Sequence, residues 1–189
     1  MKLQNPENIV LDTKRLVESN KRSEIRLNAN GGNSILIVCD PKMEHEYINA
    51  INKILDSDTY QIIDLNNLLT EFVELNKSDL TELFELLKVS VHQIFKAPQG
   101  EESNDLFGLI IKKIADSFTN NKIPILINSG TLYGSGIDNI HIMESEIVMK
   151  SSLPLIVLYP ATHDIDNLLF LNKRPASKYR CLIINDFKS

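Results

Sequence analysis

Three groups of residues in this 189-residue chain have the types and spacing to do chemistry. One is a glycine loop, Ser129-Gly-Thr-Leu-Tyr-Gly-Ser-Gly136, directly after the apolar run Ile123-Pro-Ile-Leu-Ile127. Its Gly130, Gly134 and Gly136 stand where an α/β protein can cradle a phosphate with backbone N–H groups. A second is a set of carboxylates after apolar runs: Asp40 behind Ser34–Cys39, and the Asp-x-Asp pair Asp164 and Asp166. Oxygen ligands gathered this way hold Mg²⁺ in phosphoryl-transfer sites, which makes the three aspartates candidate metal ligands. Aspartates after strands also serve as turn and cap residues. The third group is basic. Lys173, Arg174, Lys178 and Arg180 fall within nine residues of a chain whose net charge is −5. Such a run suits an acidic protein surface or a phosphate, or it is a solvated loop leading into the last strand.

Each group must meet further requirements. A phosphate loop for ATP needs glycines after the first strand, a lysine for the β- and γ-phosphates and a hydroxyl for Mg²⁺. The first strand is followed instead by Cys39-Asp40-Pro41-Lys42, a carboxylate and a residue without an N–H. A dinucleotide fingerprint also belongs to the first strand, so the glycines at 130–136 read as a strand-to-helix turn. No Tyr-x-x-x-Lys pair supports dehydrogenase chemistry, and no G-x-S-x-G elbow supports a serine nucleophile. His45 lies between Glu44 and Glu46, and His141 near Glu144 and Glu146, in patterns typical of solvated helix faces. Cys39 and Cys181 sit inside apolar runs and read as buried thiols; neither a zinc site nor a disulfide framework is suggested. No catalytic residue and no cofactor is expected.

The elements that would position these groups are short and alternate in type. Ser34–Cys39, Tyr60–Ile63, Ile123–Asn128, Pro154–Tyr159 and Tyr179–Asn185 are apolar runs with little alternation, the mark of strands buried on both faces. Between them lie helical patterns over 43–55, 65–75, 78–95, 105–118 and 139–149. The pattern predicts an α/β fold: a mainly parallel five-stranded sheet with helices on both faces, similar in topology to P-loop NTPase and Rossmann-like domains but without a phosphate-binding loop. Residues 1–33 read as a polar N-terminal helical segment packing on a single domain at 34–189, with a mobile loop at about 97–104.

Composition sets the bounds. With 43% hydrophobic and 24% charged residues, the chain has the make-up of a globular protein with a substantial core. Its acidic balance argues against a broad nucleic-acid or anionic-lipid footprint. No apolar h-region opens the chain and no apolar stretch approaches the roughly 20 residues that span a bilayer, so a cytoplasmic protein is expected.

Several short motifs resemble, in order and spacing, the BrxB-like proteins of bacteriophage-exclusion (BREX) defence loci. They are Asp40-Pro41, Ile63-Asp64-Leu65, Gly130 with Tyr133, Pro154-Leu-Ile-Val-Leu-Tyr-Pro160, Asp164, Leu168-Leu-Phe170 and Tyr179-Arg180. The likeness runs discontinuously from about residue 35 to 186. It departs after Tyr133, where Gly134 stands in place of a family Pro-Arg-x-His continuation. The resemblance implies an accessory subunit of an anti-phage system, working by protein–protein contact, with a PglZ-like phosphatase-superfamily component as its partner. It carries over no catalytic residue. Arg174, Lys178, Tyr179 and Arg180 are the expected border of the partner surface, because tyrosine and arginine are frequent interface anchors; Tyr179 and Arg180 could equally be structural, as they begin an apolar strand. The alternative from the carboxylates is a Mg²⁺-dependent phosphoryl-transfer or nuclease domain using Asp40, Asp164 and Asp166.

Overall fold

The computed structural model describes residues 5–19, 22–98, 104–164, 167–176 and 180–185. Two helices lead, α1 (Pro6–Glu18) and α2 (Arg22–Asn28), followed by β1 (Ser34–Cys39), α3 (Glu44–Ile54) and β2 (Tyr60–Asp64). Four helices come next: α4 (Leu65–Leu75), α5 (Lys77–Leu86), α6 (His92–Phe95) and α7 (Leu106–Thr119). Then come β3 (Ile123–Ile127), α8 (Asn139–Met143), α9 (Glu146–Lys150), β4 (Leu155–Asp164), β5 (Asn167–Phe170), β6 (Arg174–Pro175) and β7 (Leu182–Asn185).

The sheet order is β2-β3-β4-β1-β7, and every neighbouring pair on this path is parallel. All six residues of β1 and all five of β3 are buried, which is why their sequences do not alternate. Ile35, Ile37 and Cys39 of β1 pack under α1, α2 and α3 on one face. Leu36 and Val38 pack under α4 to α9 on the other. The β1-to-β2 connection therefore crosses one face in one direction. The later connections step back across the opposite face, as crossovers of a single hand must. The expected α/β architecture is the one found. Cys39 and Cys181 are buried thiols, and burial pushes the Cys181 thiol up to about 12.

Local chemistry sets the element ends. Asn5 caps α1 by accepting from Glu7 N, with Pro6 in the first turn. Asp64 caps α4 through Asn66 N at 2.9 Å, and Asp105 caps α7 through Gly108 N at 2.7 Å. Asn33 is 4% exposed and its Nδ2 donates to the carbonyls of Val148, Ser151 and Leu153 at 2.8–3.0 Å, tying the end of α9 to the start of β4 beside β1.

Three local features differ from the sequence reading. The single helix expected over 78–95 is two, α5 and α6, because the chain turns at Leu87–Ser90. The helix expected over 139–149 is also two, since Ser145 is extended (φ −61°, ψ 149°) and begins α9 afresh, a position serine favours over a helix interior. Beyond the five parallel strands, β4 continues outward and folds back with β5 and β6 as an antiparallel arm. Of the loop expected at 97–104, residues 99–103 lie outside the described residues.

Candidate functional site

Ligands of open α/β sheets bind outside the carboxyl ends of the strands, where neighbouring connections leave toward opposite faces. In this sheet that point lies between β1 and β4. The Asp40 side chain there accepts from Lys42 N at 2.9 Å and caps the short turn Pro41–Met43. Cys39 is in register with Pro160, which has no N–H to give a neighbouring strand. From Pro160 onward β4 leaves β1 and pairs with β5 instead, Ala161 opposite Phe170. Leu171 N donates to Pro160 O at 2.9 Å, and Phe170 stacks on Tyr159 with ring centroids 4.8 Å apart. The arm thus packs its own apolar residues on Tyr159, at the end of the parallel part of β4, and, through Leu171, against the loop that follows β3.

The glycine loop lies under that arm. A Cβ at Gly130 would come within 3.2 Å of Leu171 Cδ2. Gly136 has φ +79°, and a Cβ there would lie 2.9 Å from His92 Cβ, so both conformation and packing require glycine. Ser129 Oγ donates to Leu158 O, Ser135 Oγ to Leu132 O, and the preceding Asn128 Nδ2 to Asp64 Oδ1, all at 2.7–2.8 Å, while Thr131 bonds Asn66 at the surface and Tyr133 is exposed. Close packing accounts for Gly130 and Gly136, whereas Gly134, at φ +86° with open space around it, needs glycine for its backbone conformation alone.

The carboxylates divide between described and undescribed. Asp40 is a turn cap. Only the backbone of Asp164 is described; it ends β4 four residues past the Cys39 register position, opposite Asn167. Asp166 lies outside the described residues. Near Asp40 the structure adds an acid that the sequence reading took for a solvated helix face, Glu44. Burial and then the nearby Asp64 raise its pKa above the ordinary carboxylate value, and its Oε1 is buried with no hydrogen-bond partner among the described residues. Among the described residues, no group of three or more His, Cys, Asp or Glu is placed to hold a metal ion.

The two arginines of the basic run are paired with the acids at either end of α8. Arg174 forms a two-pronged pair with Asp138, at 2.7 and 3.1 Å. Arg180 forms another with Glu144, both contacts at 3.1 Å, which lowers the Glu144 pKa and raises that of Arg180. The two side chains remain 55% and 49% exposed. Lys178 and Tyr179 lie outside the described residues. Between the two acids, His141 Nδ1 accepts from Asp138 N at 3.1 Å. Burial lowers its pKa, Lys96 and Arg174 lower it further, and Asp138 opposes them, a shift in the direction that the acceptor role of Nδ1 favours. Arg174, Asp138 and Tyr133 also border a small cavity over Tyr159 and Phe170. Asn139 lines it; the residue is 4% exposed and its Oδ1 has no partner among the described residues.

No family model, curated protein or solved structure matches this chain. The site has to be read from its own geometry.

Two further concavities lie away from the crevice. One, about 650 Å³, follows the outer edge of β2 and is lined by Asn52, Gln61, Asn67, Lys113, Asn120 and Ile62, among others. The other, about 360 Å³, lies between α4, α5, α6 and the start of α7, and its walls are largely apolar: Phe72, Leu80, Leu83, Leu87, Ile94 and Pro98. The sequence reading singled out neither. A signal for the second was present in α5, whose apolar residues include Leu86, which falls off the stripe formed by Leu80, Leu83, Phe84 and Leu87.

Proposed function

We propose that this protein is a non-catalytic binding subunit of a bacterial anti-phage system of the BREX type, acting in the cytoplasm by contact with a PglZ-like phosphatase-superfamily component. The observation that carries the non-catalytic part is the β4–β5–β6 arm. At the carboxyl end of the parallel part of β4, Phe170 and Leu171 of this chain pack on Tyr159 and beside Gly130, and Ser129 and Ser135 of the glycine loop give their hydroxyls to backbone carbonyls. The partner and the pathway rest on the sequence resemblance. Among the described residues, no helix is long and apolar enough to cross a membrane.

The test has two arms. Purified protein is assayed for ATP binding and hydrolysis with and without Mg²⁺, and is co-expressed with the PglZ-like protein of its own locus for size-exclusion chromatography. The expected outcome is no turnover and a co-eluting complex. Mg²⁺-dependent turnover of ATP or nucleic acid that is lost in Asp40→Ala would overturn the reading in favour of phosphoryl transfer through Asp40, Asp164 and Asp166. Separate elution of the two proteins would remove the assigned partner.

A further inference from the structure

The groove of about 650 Å³ along β2 lies at the edge of the sheet. Asn52 of α3 lines it from one face of the sheet and Asp116 and Asn120 of α7 from the other, with Gln61 to Asp64 of β2 between them. The groove therefore wraps the outer edge of the strand. In a parallel pair, alternate residues turn their backbone groups toward the neighbouring strand. Thr59 O accepts from Ile123 N at 2.9 Å, so residues 59, 61 and 63 face β3 and Ile62 faces outward. Ile62 N meets no acceptor among the described residues, and Ile62 O takes only the amide of the exposed Gln61, at 3.3 Å. Sheet edges are usually guarded by proline, lysine or a covering element. Tyr60–Asp64 contains neither residue, and the groove lies where a cover would be.

Two observations choose the occupant. A donor and an acceptor left on one strand residue are matched by another extended chain, not by a helix whose backbone is paired within itself. The walls then choose its side chains. Asn52 Nδ2 donates to Ile48 O, Asn120 Nδ2 to Asp116 O and Asn128 Nδ2 to Asp64 Oδ1, at 2.8–3.0 Å. Those partners only accept, which fixes each amide's orientation, and no donor among the described residues reaches the three amide oxygens. With the carboxylates of Asp64 and Asp116 they make a wall of acceptors, against which stands Lys113, 3.9 Å from Glu71. A second copy of β2 would bring Asp64 and no cation to this wall.

We propose that the outer edge of β2 takes an extended segment of the partner protein as an added strand, paired at Ile62 and presenting Lys or Arg side chains to the acceptor wall. This deepens the reading of the chain as a binding subunit and rests on it. It assigns the contact to a different surface from the basic run at 173–180.

The probe is a fluorescein-labelled synthetic peptide of alternating Val and Lys, read by anisotropy. Its controls are the same peptide with alternate backbone amides N-methylated, and a Val/Glu version. The unmodified Val/Lys peptide is expected to bind at least about tenfold more tightly than either control, because methylation removes ladder hydrogen bonds and Glu meets acceptors. Ile62→Pro removes the outward N–H while keeping every bond to β3, a change that edge strands tolerate; with its urea midpoint retained, it should abolish that preference. Asn52→Lys/Asn120→Lys, at exposed positions, should weaken the Val/Lys peptide about tenfold at low salt. Equal binding of methylated and unmethylated peptides, or no binding, would overturn the proposal, as would undiminished binding to either variant. So would a wild-type dimer in sedimentation velocity that Ile62→Pro dissociates, since a second copy would then occupy the edge. Folded Ile62→Pro co-eluting undiminished with the PglZ-like protein would overturn the edge as the partner contact and leave the binding-subunit reading intact; that reading falls instead to Mg²⁺-dependent turnover.

Discussion

The carboxyl end of the sheet and the α4–α6 corner are both concave, and they treat their hydrophobic residues in opposite ways. At the sheet end the chain covers itself. Phe170 is 7% exposed and stacked on Tyr159, Leu171 packs beside Gly130, and Arg174 and Arg180 pair with Asp138 and Glu144, which cap the two ends of α8. At the corner, Phe84 stands 43% exposed although Leu80, Leu83 and Leu87 on the same side of α5 pack on the core. The difference teaches that position in a fold class does not assign a site by itself. What matters is whether the polar and apolar groups at that position already have partners.

The comparison can be broken most directly with two phenylalanines. Phe170→Ala should cost about 3–5 kcal/mol in urea unfolding, the usual range for a buried aromatic truncated to alanine, because it unseats the arm from Tyr159. A loss below about 1 kcal/mol would mean that the arm does not pack firmly on Tyr159. Gly136→Ala should cost less, about 1–3 kcal/mol, from its positive φ and from contact with His92; a neutral result would show that the loop is loosely packed.

Glu44→Gln sharpens the electrostatic side of the same comparison. Burial and Asp64 raise the Glu44 pKa in the folded protein, so the native state holds this proton to higher pH than the unfolded chain does. The native preference is fully present below the unfolded value and is lost as pH rises through the raised folded one. Glu44→Gln should therefore gain stability relative to the parent as pH climbs above the ordinary carboxylate range, seen as a widening difference in urea midpoints between pH 4 and pH 7. A difference constant with pH would place Glu44 in a solvated site. The smallest effect belongs to Phe84→Ala, which should change stability in urea unfolding by no more than about 0.5 kcal/mol, as for an exposed substitution. A large stability loss would show that Phe84 is a core residue.

The parallel strands were legible because their burial on both faces writes itself as unbroken apolar runs, Ser34–Cys39 and Ile123–Ile127 above all. The Asp40-Pro41 turn was legible too, since a carboxylate before proline is a local cap signal. The arm was not. Asn167–Phe170 and Arg174-Pro175 are too short to carry a period, and they are strands only because Pro160 releases β4 from β1. The partners of Arg174 and Arg180 were equally hidden. Each lies 36 residues upstream, at Asp138 and Glu144, and nothing local in the sequence links residues so far apart. Glu44 read as a solvated helix face because charge pattern alone does not reveal that Asp64 will be brought beside it.

The position of β1 in the sheet has a consequence for how the chain is made. Of the strands described here it is made before its partners and becomes the strand between β4 and β7, yet those partners in register, Leu155–Pro160 and Leu182–Asn185, come roughly 120 or more residues later. At about 5–20 residues per second of synthesis, Ser34–Cys39 waits on the order of 6–24 seconds with both edges unpaired. Contacts this distant in sequence also slow folding once the chain is complete. A nascent chain of this protein therefore presents a bare, apolar β-template to its surroundings, and its yield in a cell depends on what shields that segment during the interval.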